Sequence, residues 1–295
     1  MADYALPKAV DFKNMSQKAK AAVNWSQGWI QRKYDGCAVI IRVLPDGTKT
    51  AISATGKPHV SIDHVLARLR PLDKPYTLCG EAILPGRPFA ESSGAFRRHS
   101  VQAGLFVQLF DGAVDGEEQR PYKERKGLLY HLAAIEVESR DSGSSPFGVV
   151  ASQYCEGPEN AQKWGMTYAD DKPTSLNRFF CDGAIWRDPE APFEIGRSKG
   201  SIIKIKPLME CDLLVVGTEE GKGKYVGKIG ALVCKYKDAK LVKVATGMTD
   251  AERAQAPSDF IGGIVSVAAM GETDDGLLRE PRYRGIRIDK LAADY

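Results

Sequence analysis

Gln31-Arg32-Lys33-Tyr34-Asp35-Gly36 leads without a break into the apolar run Cys37-Ala38-Val39-Ile40-Ile41-Arg42-Val43-Leu44. Asp-Gly is a turn signal and the run after it is rich in β-formers, so the lysine is predicted to enter a turn just before a strand. That position holds a lysine at the mouth of a sheet, where its amine can be aimed into a cleft. By itself the tetrapeptide Lys33-Tyr34-Asp35-Gly36 decides little, since roughly one chain of this length in ten would contain Lys-x-Asp-Gly at average residue frequencies. The plain alternative is a solvated turn, and only the company the lysine keeps elsewhere in the chain separates the two.

An ammonium is no nucleophile. To attack phosphorus a lysine must lose its proton near neutral pH, which neighbouring cations favour by lowering its pKa. Lys204 and Lys206 alternate within Ser201-Ile202-Ile203-Lys204-Ile205-Lys206-Pro207, and strand alternation puts both amines on one face. They are predicted to supply those cations to Lys33; the alternative is an exposed strand face. Glu81 sits inside Leu78-Cys79-Gly80-Glu81-Ala82-Ile83-Leu84, and Asp182 inside Phe179-Phe180-Cys181-Asp182-Gly183-Ala184-Ile185-Trp186. Carboxylates embedded in apolar runs need a cation, a hydrogen-bond donor or a metal. These two acids, the three lysines and a polyphosphate with magnesium would neutralise one another.

Composition sets the bounds. The 295 residues can form one large domain, or a large and a small one, and the 43% hydrophobic and 27% charged fractions are those of a soluble globular protein. The first apolar stretch is broken by Lys8, Asp11, Lys13, Lys18 and Lys20, unlike a signal peptide, and no segment is suited to span a bilayer. A cytoplasmic protein is expected, with no membrane partner. Cys37, Cys79, Cys155, Cys181, Cys211 and Cys234 form no C-x-x-C pair and are joined by four histidines only, at 59, 64, 99 and 131. That argues against a zinc ribbon or a disulfide scaffold. A net charge of +3 neither proves nor excludes a nucleic-acid partner.

Two kinds of sequence meet near Pro207. Upstream, Cys37 to Leu44, Thr77 to Leu84, Leu105 to Phe110, Ala184 to Trp186 and Ile202 to Ile205 are predicted strands. Val60 to Leu69 and Lys123 to Leu132 are predicted helices, and Asp141 to Ser145 a loop. Downstream, Asp212 to Val216, Ala231 to Tyr236, Leu241 to Ala245 and Ile264 to Ala269 are predicted strands, interrupted by a helix opening on the capping box Thr249-Asp250-Ala251-Glu252. Such a segment suits a small oligonucleotide-binding (OB) barrel, with a β-sandwich as the alternative.

Lys33-Tyr34-Asp35-Gly36, Ser53-Ala54-Thr55-Gly56-Lys57, Gly80-Glu81, Leu109-Phe110-Asp111, Asp182-Gly183 and Lys204-x-Lys206 occur in the order of the motifs of covalent nucleotidyltransferases. Gly221-Lys222-Gly223-Lys224-Tyr225, Ile229-Gly230-Ala231-Leu232, Leu278-Arg279-Glu280-Pro281 and Arg287-Ile288-Asp289-Lys290 follow. From about residue 28 onward the chain resembles ATP-dependent DNA ligases, most of all the short bacteriophage-type enzymes. The resemblance implies an α+β fold: an ATP-grasp-like nucleotidyltransferase (adenylation) domain of antiparallel sheets and flanking helices over residues 1–207, then an OB-fold barrel over 208–295. It implies ATP and Mg2+ (or Mn2+) as cofactors, nicked duplex DNA as partner, and a monomer that works in three steps: adenylation of Lys33, transfer of AMP to the nick 5′-phosphate, and attack by the 3′-hydroxyl.

Roles carry over from the resemblance. Gln31 would face the adenine amino group, Phe110 would stack on the base, and Asp35 would orient the lysine or the nick. Glu81 would hold ribose or metal and Asp182 the metal; Lys204 and Lys206 would hold α-phosphate oxygens. Arg287 and Lys290 would close over the β- and γ-phosphates. Two arginines usual in the family are replaced by Ala38 and Ala54, leaving the nick-phosphate contact to Lys57, Arg42 or Arg197. Asp182 stands where glutamate is usual, and Arg187 where lysine is common. Arg97 and Arg98, on the small-residue loop Ser92-Ser93-Gly94-Ala95-Phe96-Arg97-Arg98 that can approach a phosphate backbone closely, and Lys222, Lys224 and Lys228 in a Gly-rich loop are the expected DNA-backbone contacts. The alternatives are an RNA ligase or capping-type nucleotidyltransferase, and a non-catalytic OB protein that binds single strands.

Overall fold

The computed structural model describes residues 6–138, 145–174, 177–196, 198–207, 209–273 and 275–295. The chain divides into two compact units, Met1–Lys206 and Pro207–Tyr295. The loop predicted at Asp141 to Ser145 lies almost wholly outside the described residues.

In the first unit the strands are β1 (Val10–Asp11), β2 (Trp29–Tyr34), β3 (Cys37–Val43), β4 (Lys49–Ser53), β5 (Tyr76–Ile83), β6 (Phe106–Val114), β7 (Phe147–Val149), β8 (Ser152–Tyr154), β9 (Cys181–Arg187) and β10 (Ile202–Ile205). The helices are α1 (Gln17–Ala21), α2 (Asp63–Arg68), α3 (Phe89–Phe96), α4 (Tyr122–Glu138) and α5 (Pro158–Asp170). Two five-stranded sheets form, in the orders β4-β3-β5-β6-β7 and β1-β10-β9-β2-β8. Both are antiparallel except for the edge pairs β6 with β7 and β1 with β10.

Alternation explains the layering. Val39, Ile41 and Val43 of β3 pack with Leu78, Val107 and Leu109 against Val65 and Leu66 of α2 and Leu129 and Leu132 of α4. The intervening Ala38 and Ile40 join Cys79, Phe110, Leu6 and Phe193 in a second cluster. In the other sheet Ile30, Ala184, Trp186, Ile203 and Ile205 pack with Trp25, and with Ala161 and Tyr168 of α5, which leaves Gln31 and Lys33 on the opposite side of β2.

A buried ion triad ties the two sheets together. Asp111 of β6, 1% exposed, accepts from Arg125 Nη2 of α4 at 3.2 Å and from Arg187 Nη1 of β9 at 2.5 Å. Arg125 also donates to the Ala191 carbonyl at 2.8 Å.

Two sequence expectations need correction. Ser92 to Arg98 is no exposed loop: α3 covers Phe89–Phe96, with Ser92 and Ser93 buried and Ser92 Oγ accepting from the Leu84 backbone N–H at 3.0 Å. Ser92 and Ser93 serve close packing against the end of β5, while Gly94 is exposed with open space beside it. Lys33 lies within strand β2, one residue before the turn, instead of entering it. The helix expected over Val60 to Leu69 is shorter, Asp63–Arg68, and that over Lys123 to Leu132 longer, because helix-forming residues continue to Glu138.

The second unit holds β11 (Met209–Glu220), β12 (Ile229–Lys235), β13 (Leu241–Val244), β14 (Ile264–Ala269) and β15 (Arg282–Ile286), with the short helix α6 (Asp250–Arg253) before β14. The order β13-β12-β11-β14-β15, closed by a parallel bridge between Thr246 and Arg282, makes a small barrel. The capping box at Thr249 forms as predicted: Thr249 Oγ1 accepts from Glu252 N–H and the Glu252 carboxylate accepts from Thr249 N–H.

Replacing Asp111 by alanine leaves two buried guanidiniums without their counter-charge. We expect Asp111→Ala to lower unfolding free energy by about 3–5 kcal/mol, measured by urea denaturation; a loss below about 1 kcal/mol would remove the triad from its role as the tie between the sheets.

Candidate functional site

Between the inner faces of the two sheets of the first unit lies a cavity of about 710 Å³, within the range of ordinary ligand pockets. Gln31 and Lys33 of β2, Glu81 of β5, Phe110 of β6, Ile185 and Arg187 of β9, and Lys204 of β10 line it. Residues separated by up to 173 positions are thus brought together, as the sequence predicted for Gln31, Lys33, Glu81, Phe110 and Lys204.

Asp182 holds two of the three lysines. Its Oδ1 accepts from Lys33 Nζ at 2.8 Å and its Oδ2 from Lys206 Nζ at 2.7 Å. Burial would raise this carboxyl, but the two ammonium groups outweigh it and hold Asp182 below the usual range. Lys204 instead pairs with Asp11 at 3.5 Å, across the parallel register of β1 and β10. The backbone around Asp182 admits only glycine after it: Gly183 has φ +142°, and a Cβ there would sit 2.3 Å from the Ile205 carbonyl oxygen. Gly36 is likewise pinned, since its Cβ would meet the Ala82 oxygen at 2.5 Å.

The expectation that cations depress Lys33 is reversed in this state. Burial acts to lower its pKa, but Asp182, Glu81 and Asp35 outweigh burial and hold the ammonium above the ordinary lysine range. Lys206 shares the Asp182 carboxylate with Lys33, and it is Asp182, Glu81 and Asp35 together that outweigh burial at Lys33. Glu81, in register beside Ala38, is pushed up to about 7, chiefly by burial, with Lys33 opposing and Asp182 reinforcing the rise.

Asp182 offers a divalent cation no free oxygen here, since both accept from lysines. Among the described residues no three acidic, histidine or cysteine side chains cluster to hold a metal. Asp35 flanks Lys33, with its backbone N–H bonded to the Phe180 carbonyl at 3.0 Å.

Sequence reasoning missed the segment Leu6 to Ala9, which lines the cavity and is pinned by Lys8 N–H to the Gly196 carbonyl at 2.6 Å and Ser198 N–H to the Lys8 carbonyl at 3.0 Å. It carries no motif, so no signal in the sequence pointed to it. Among the described residues the Lys8 ammonium has no ion-pair partner, and it stands on the same cavity as Ala38. Asp11 and Arg125 were missed for the same reason; Asp111 stands in the quoted Leu109-Phe110-Asp111, but its partners lie far along the chain.

The proposed DNA contacts divide. Arg42 is paired bidentately with Asp115 and donates to Thr77 at 3.1 Å, at the far end of β3 from Ala38, which removes it as a substitute for the missing arginine. Lys57 and Arg98 are exposed; Arg97 is exposed too, but its guanidinium folds back on Ser93 Oγ at 2.6 Å. Arg197 lies outside the described residues. In the second unit Lys222 and Lys228 are exposed, while Lys224 pairs with Asp250 at 3.6 Å. Arg287 and Lys290 are both held by buried Asp212, at 2.8 and 2.5 Å.

Residues 220–287 match the family model of the DNA ligase OB-like domain. The chain is 24% identical over 298 aligned residues to the "Probable DNA ligase" of Kineococcus radiotolerans, covering 90% of this chain and 56% of that protein. With 44% of a Streptomyces griseus relative covered as well, the chain spans about half the length of these curated relatives. Among solved structures, a Lig E DNA ligase matches with a TM-score of 0.71 at 20% identity over 96% of this chain and 99% of that one. The ATP-dependent DNA ligase of bacteriophage T7, solved in complex with ATP, matches with a TM-score of 0.55 at 19% identity over 95% and 98%. The chain therefore resembles DNA ligases in sequence, and its fold is their nucleotidyltransferase domain followed by an OB domain.

Glu81 gives the site a pH signature. Its folded pKa of about 7 lies above the ordinary glutamate value, so the native state binds the extra proton and its stability falls as pH rises from about 4.5 through 7. Glu81→Gln should remove that dependence, gaining about 2 kcal/mol over the parent at pH 8 and little at pH 4; equal effects at both pH values in thermal melts would refute the raised carboxyl.

Proposed function

We propose that the chain is an ATP-dependent DNA ligase that seals 5′-phosphate/3′-hydroxyl nicks in duplex DNA through a lysyl-AMP on Lys33 and a DNA-adenylate. The observation that carries this is one cavity presenting a lysine amine, two further lysines on or beside it, a carboxylate and an aromatic ring. Phe110 and Ile185 offer apolar faces to a purine. Lys33 would attack the α-phosphate, with Lys204 and Lys206 holding its oxygens. Pyrophosphate leaves; AMP then passes to the 5′-phosphate, and the 3′-hydroxyl displaces it.

For Lys33 to act, its proton must leave and its bond to Asp182 must loosen. Asp182 retains Lys206, so the carboxylate is not stranded when the Lys33 amine becomes a phosphoramidate. Asp35 and Glu81 are positioned to accept hydrogen bonds from the amine or the ribose. The carboxylate set fits Mg2+ or Mn2+ only together with nucleotide phosphates, the usual magnesium arrangement; Glu81, and Asp182 once freed of a lysine, would hold it, and it would neutralise phosphate charge. Arg287 and Lys290 would bind the β- and γ-phosphates. Lys57, Arg97, Arg98, Lys222 and Lys224 would follow the DNA backbone, and Arg197 is proposed with them on sequence grounds alone.

The family model over residues 220–287 favours DNA ligase over an RNA-joining or capping enzyme and over a non-catalytic single-strand-binding protein. No helix of the described residues is long and apolar enough to cross a membrane; we place the enzyme as a monomer in the cytoplasm of a bacterium or an infected cell, serving repair or replication.

Protein stripped of bound AMP and given ATP with magnesium should gain the mass of one AMP and then join a nicked duplex; absence of the adduct on the parent chain refutes the ligase reading. Lys33→Ala should show no adduct, and an adduct on that variant would place the nucleophile elsewhere. Arg287→Ala should slow adduct formation by about 100-fold while leaving most joining of pre-adenylated nicks, and an undiminished adenylation rate would remove Arg287 from the first step.

A further inference from the structure

Both hydrogens of the Gln31 amide are committed inside the protein. Nε2 donates to Tyr122 Oη at 2.7 Å and to Ser152 Oγ at 2.8 Å. The Tyr122 hydroxyl in turn donates to the Phe110 carbonyl at 3.0 Å, so towards Gln31 its oxygen offers lone pairs only. Ser152 Oγ also accepts from the ammonium of Lys126, a group that can donate and never accept while charged. Turning the amide over would press Oε1 against the Tyr122 oxygen, whose hydrogen is already engaged, and leave Ser152 Oγ as its one donor in place of the two hydrogen bonds Nε2 makes. The carbonyl Oε1 is the one Gln31 atom left for the cavity that the residue lines.

Two of the supporting groups are buried with the glutamine, and the third is half-buried: Gln31 is 2% exposed, Tyr122 0% and Lys126 4%, with Ser152 intermediate. Arg187 stacks on the Tyr122 ring with its guanidinium 4.3 Å from the centroid, and Lys126 lies 5.5 Å from the ring centroids of both Trp29 and Tyr130. Among the described residues Lys126 has no carboxylate partner, so Ser152 is the polar group that receives it.

We propose that Tyr122, Ser152 and Lys126 are positioning residues that lock the Gln31 amide with its carbonyl towards the base, so that the slot accepts a purine bearing a 6-amino group and rejects one bearing a 6-oxo group. This rests on the nucleotide-pocket reading above. A glutamine free to rotate can pair with either edge and selects neither. A locked one sets acceptor against acceptor when hypoxanthine or guanine enters, and leaves both oxygens buried without a donor. Tyr122 also bonds the backbone of Phe110, so one hydroxyl holds both the reading group and the strand that carries the stacking ring.

The test compares ATP with ITP, which carries a 6-oxo group and a hydrogen on N1 in place of the 6-amino group and the bare N1, following the mass and rate of nucleotide addition to the stripped full-length protein. The parent should prefer ATP by about 1,000-fold or more. Tyr122→Phe, which keeps the ring and the core, should lower the ATP:ITP preference by at least about tenfold, mainly through a higher KM for ATP and a lower one for ITP. Ser152→Ala should move the preference the same way, and Ser152→Thr, which keeps the hydroxyl, should restore it. An unchanged preference in Tyr122→Phe and Ser152→Ala overturns the proposal, as does an equal loss of kcat with both nucleotides, which would mark a structural role. If the parent takes up neither nucleotide, the ligase reading itself has failed; if it takes ATP and the preference does not move, only the locking has.

Discussion

Asp111 is the group on which the cleft depends. It lies on one sheet, Arg187 on the other and Arg125 on the helix that covers the first, all nearly inaccessible to water. Burying three charges gains little free energy over a well-packed apolar cluster of the same volume. What such a cluster lacks is direction: apolar contact is non-directional and would tolerate sliding of one sheet over the other, whereas guanidinium forks meet a carboxylate in few geometries. From that fixed point a chain of contacts runs outward. Arg187 stacks on Tyr122, Tyr122 bonds both Gln31 and the Phe110 carbonyl, and those two residues face the cavity. Precision at the site is inherited from a charge cluster in the core.

The second carboxylate, Asp182, obeys the same need for counter-charge but is only partly closed off, and its partners can be exchanged. Two ammonium groups on one carboxylate leave a net positive charge beside Glu81, whose carboxyl titrates near neutrality. The resting arrangement keeps Lys33 protonated and therefore inert. A lysine with a permanently depressed pKa would be reactive towards any electrophile that entered. Here the amine is freed only when something alters its bond to Asp182, and Lys206 keeps that carboxylate compensated during the change. If Lys33 is the nucleophile of the proposed reaction, the field that activates it comes with the substrate and not from the empty protein.

Much of this was readable from the chain, and the unreadable parts share a cause. Cys37 to Leu44 and Thr77 to Leu84 announce themselves because one face of each strand is packed by helices and the other lines a cleft, so apolar residues dominate. Lys33, Glu81, Phe110, Asp182 and Lys206 were readable because each stands in a short motif of fixed order. Asp111 with Arg187 and Arg125 was not: the partners are 76 and 14 positions apart and nothing local distinguishes a buried arginine from an exposed one. Arg187 looked like a departure from the usual lysine, yet an arginine can meet Asp111 and stack on Tyr122 together, which a point-charge ammonium does less well. The sequence placed Asp182 and Glu81 with metal and polyphosphate and the lysines beside Lys33, whereas in the folded chain Asp182 binds Lys33 and Lys206 directly, and that pairing raises Lys33. The helix at Phe89–Phe96 was misread because serine, glycine and alanine mark both loops and close helix packing.

The same accounting applies to the second unit. Arg287 and Lys290 form a basic ending in sequence, but in the folded barrel both converge on the buried carboxylate of Asp212, with Asp289 also accepting from Arg287 and Asp294 from Lys290. They are not free cations awaiting a polyphosphate. Binding one there means exchanging Asp212 for phosphate oxygens, so only the difference between two ion pairs contributes to affinity. The exchange also leaves Asp212 buried with fewer partners, a penalty that draws the two side chains back when the phosphates depart. A basic group that only gains by meeting phosphate would hold its product; one that leaves a carboxylate behind is built to let go.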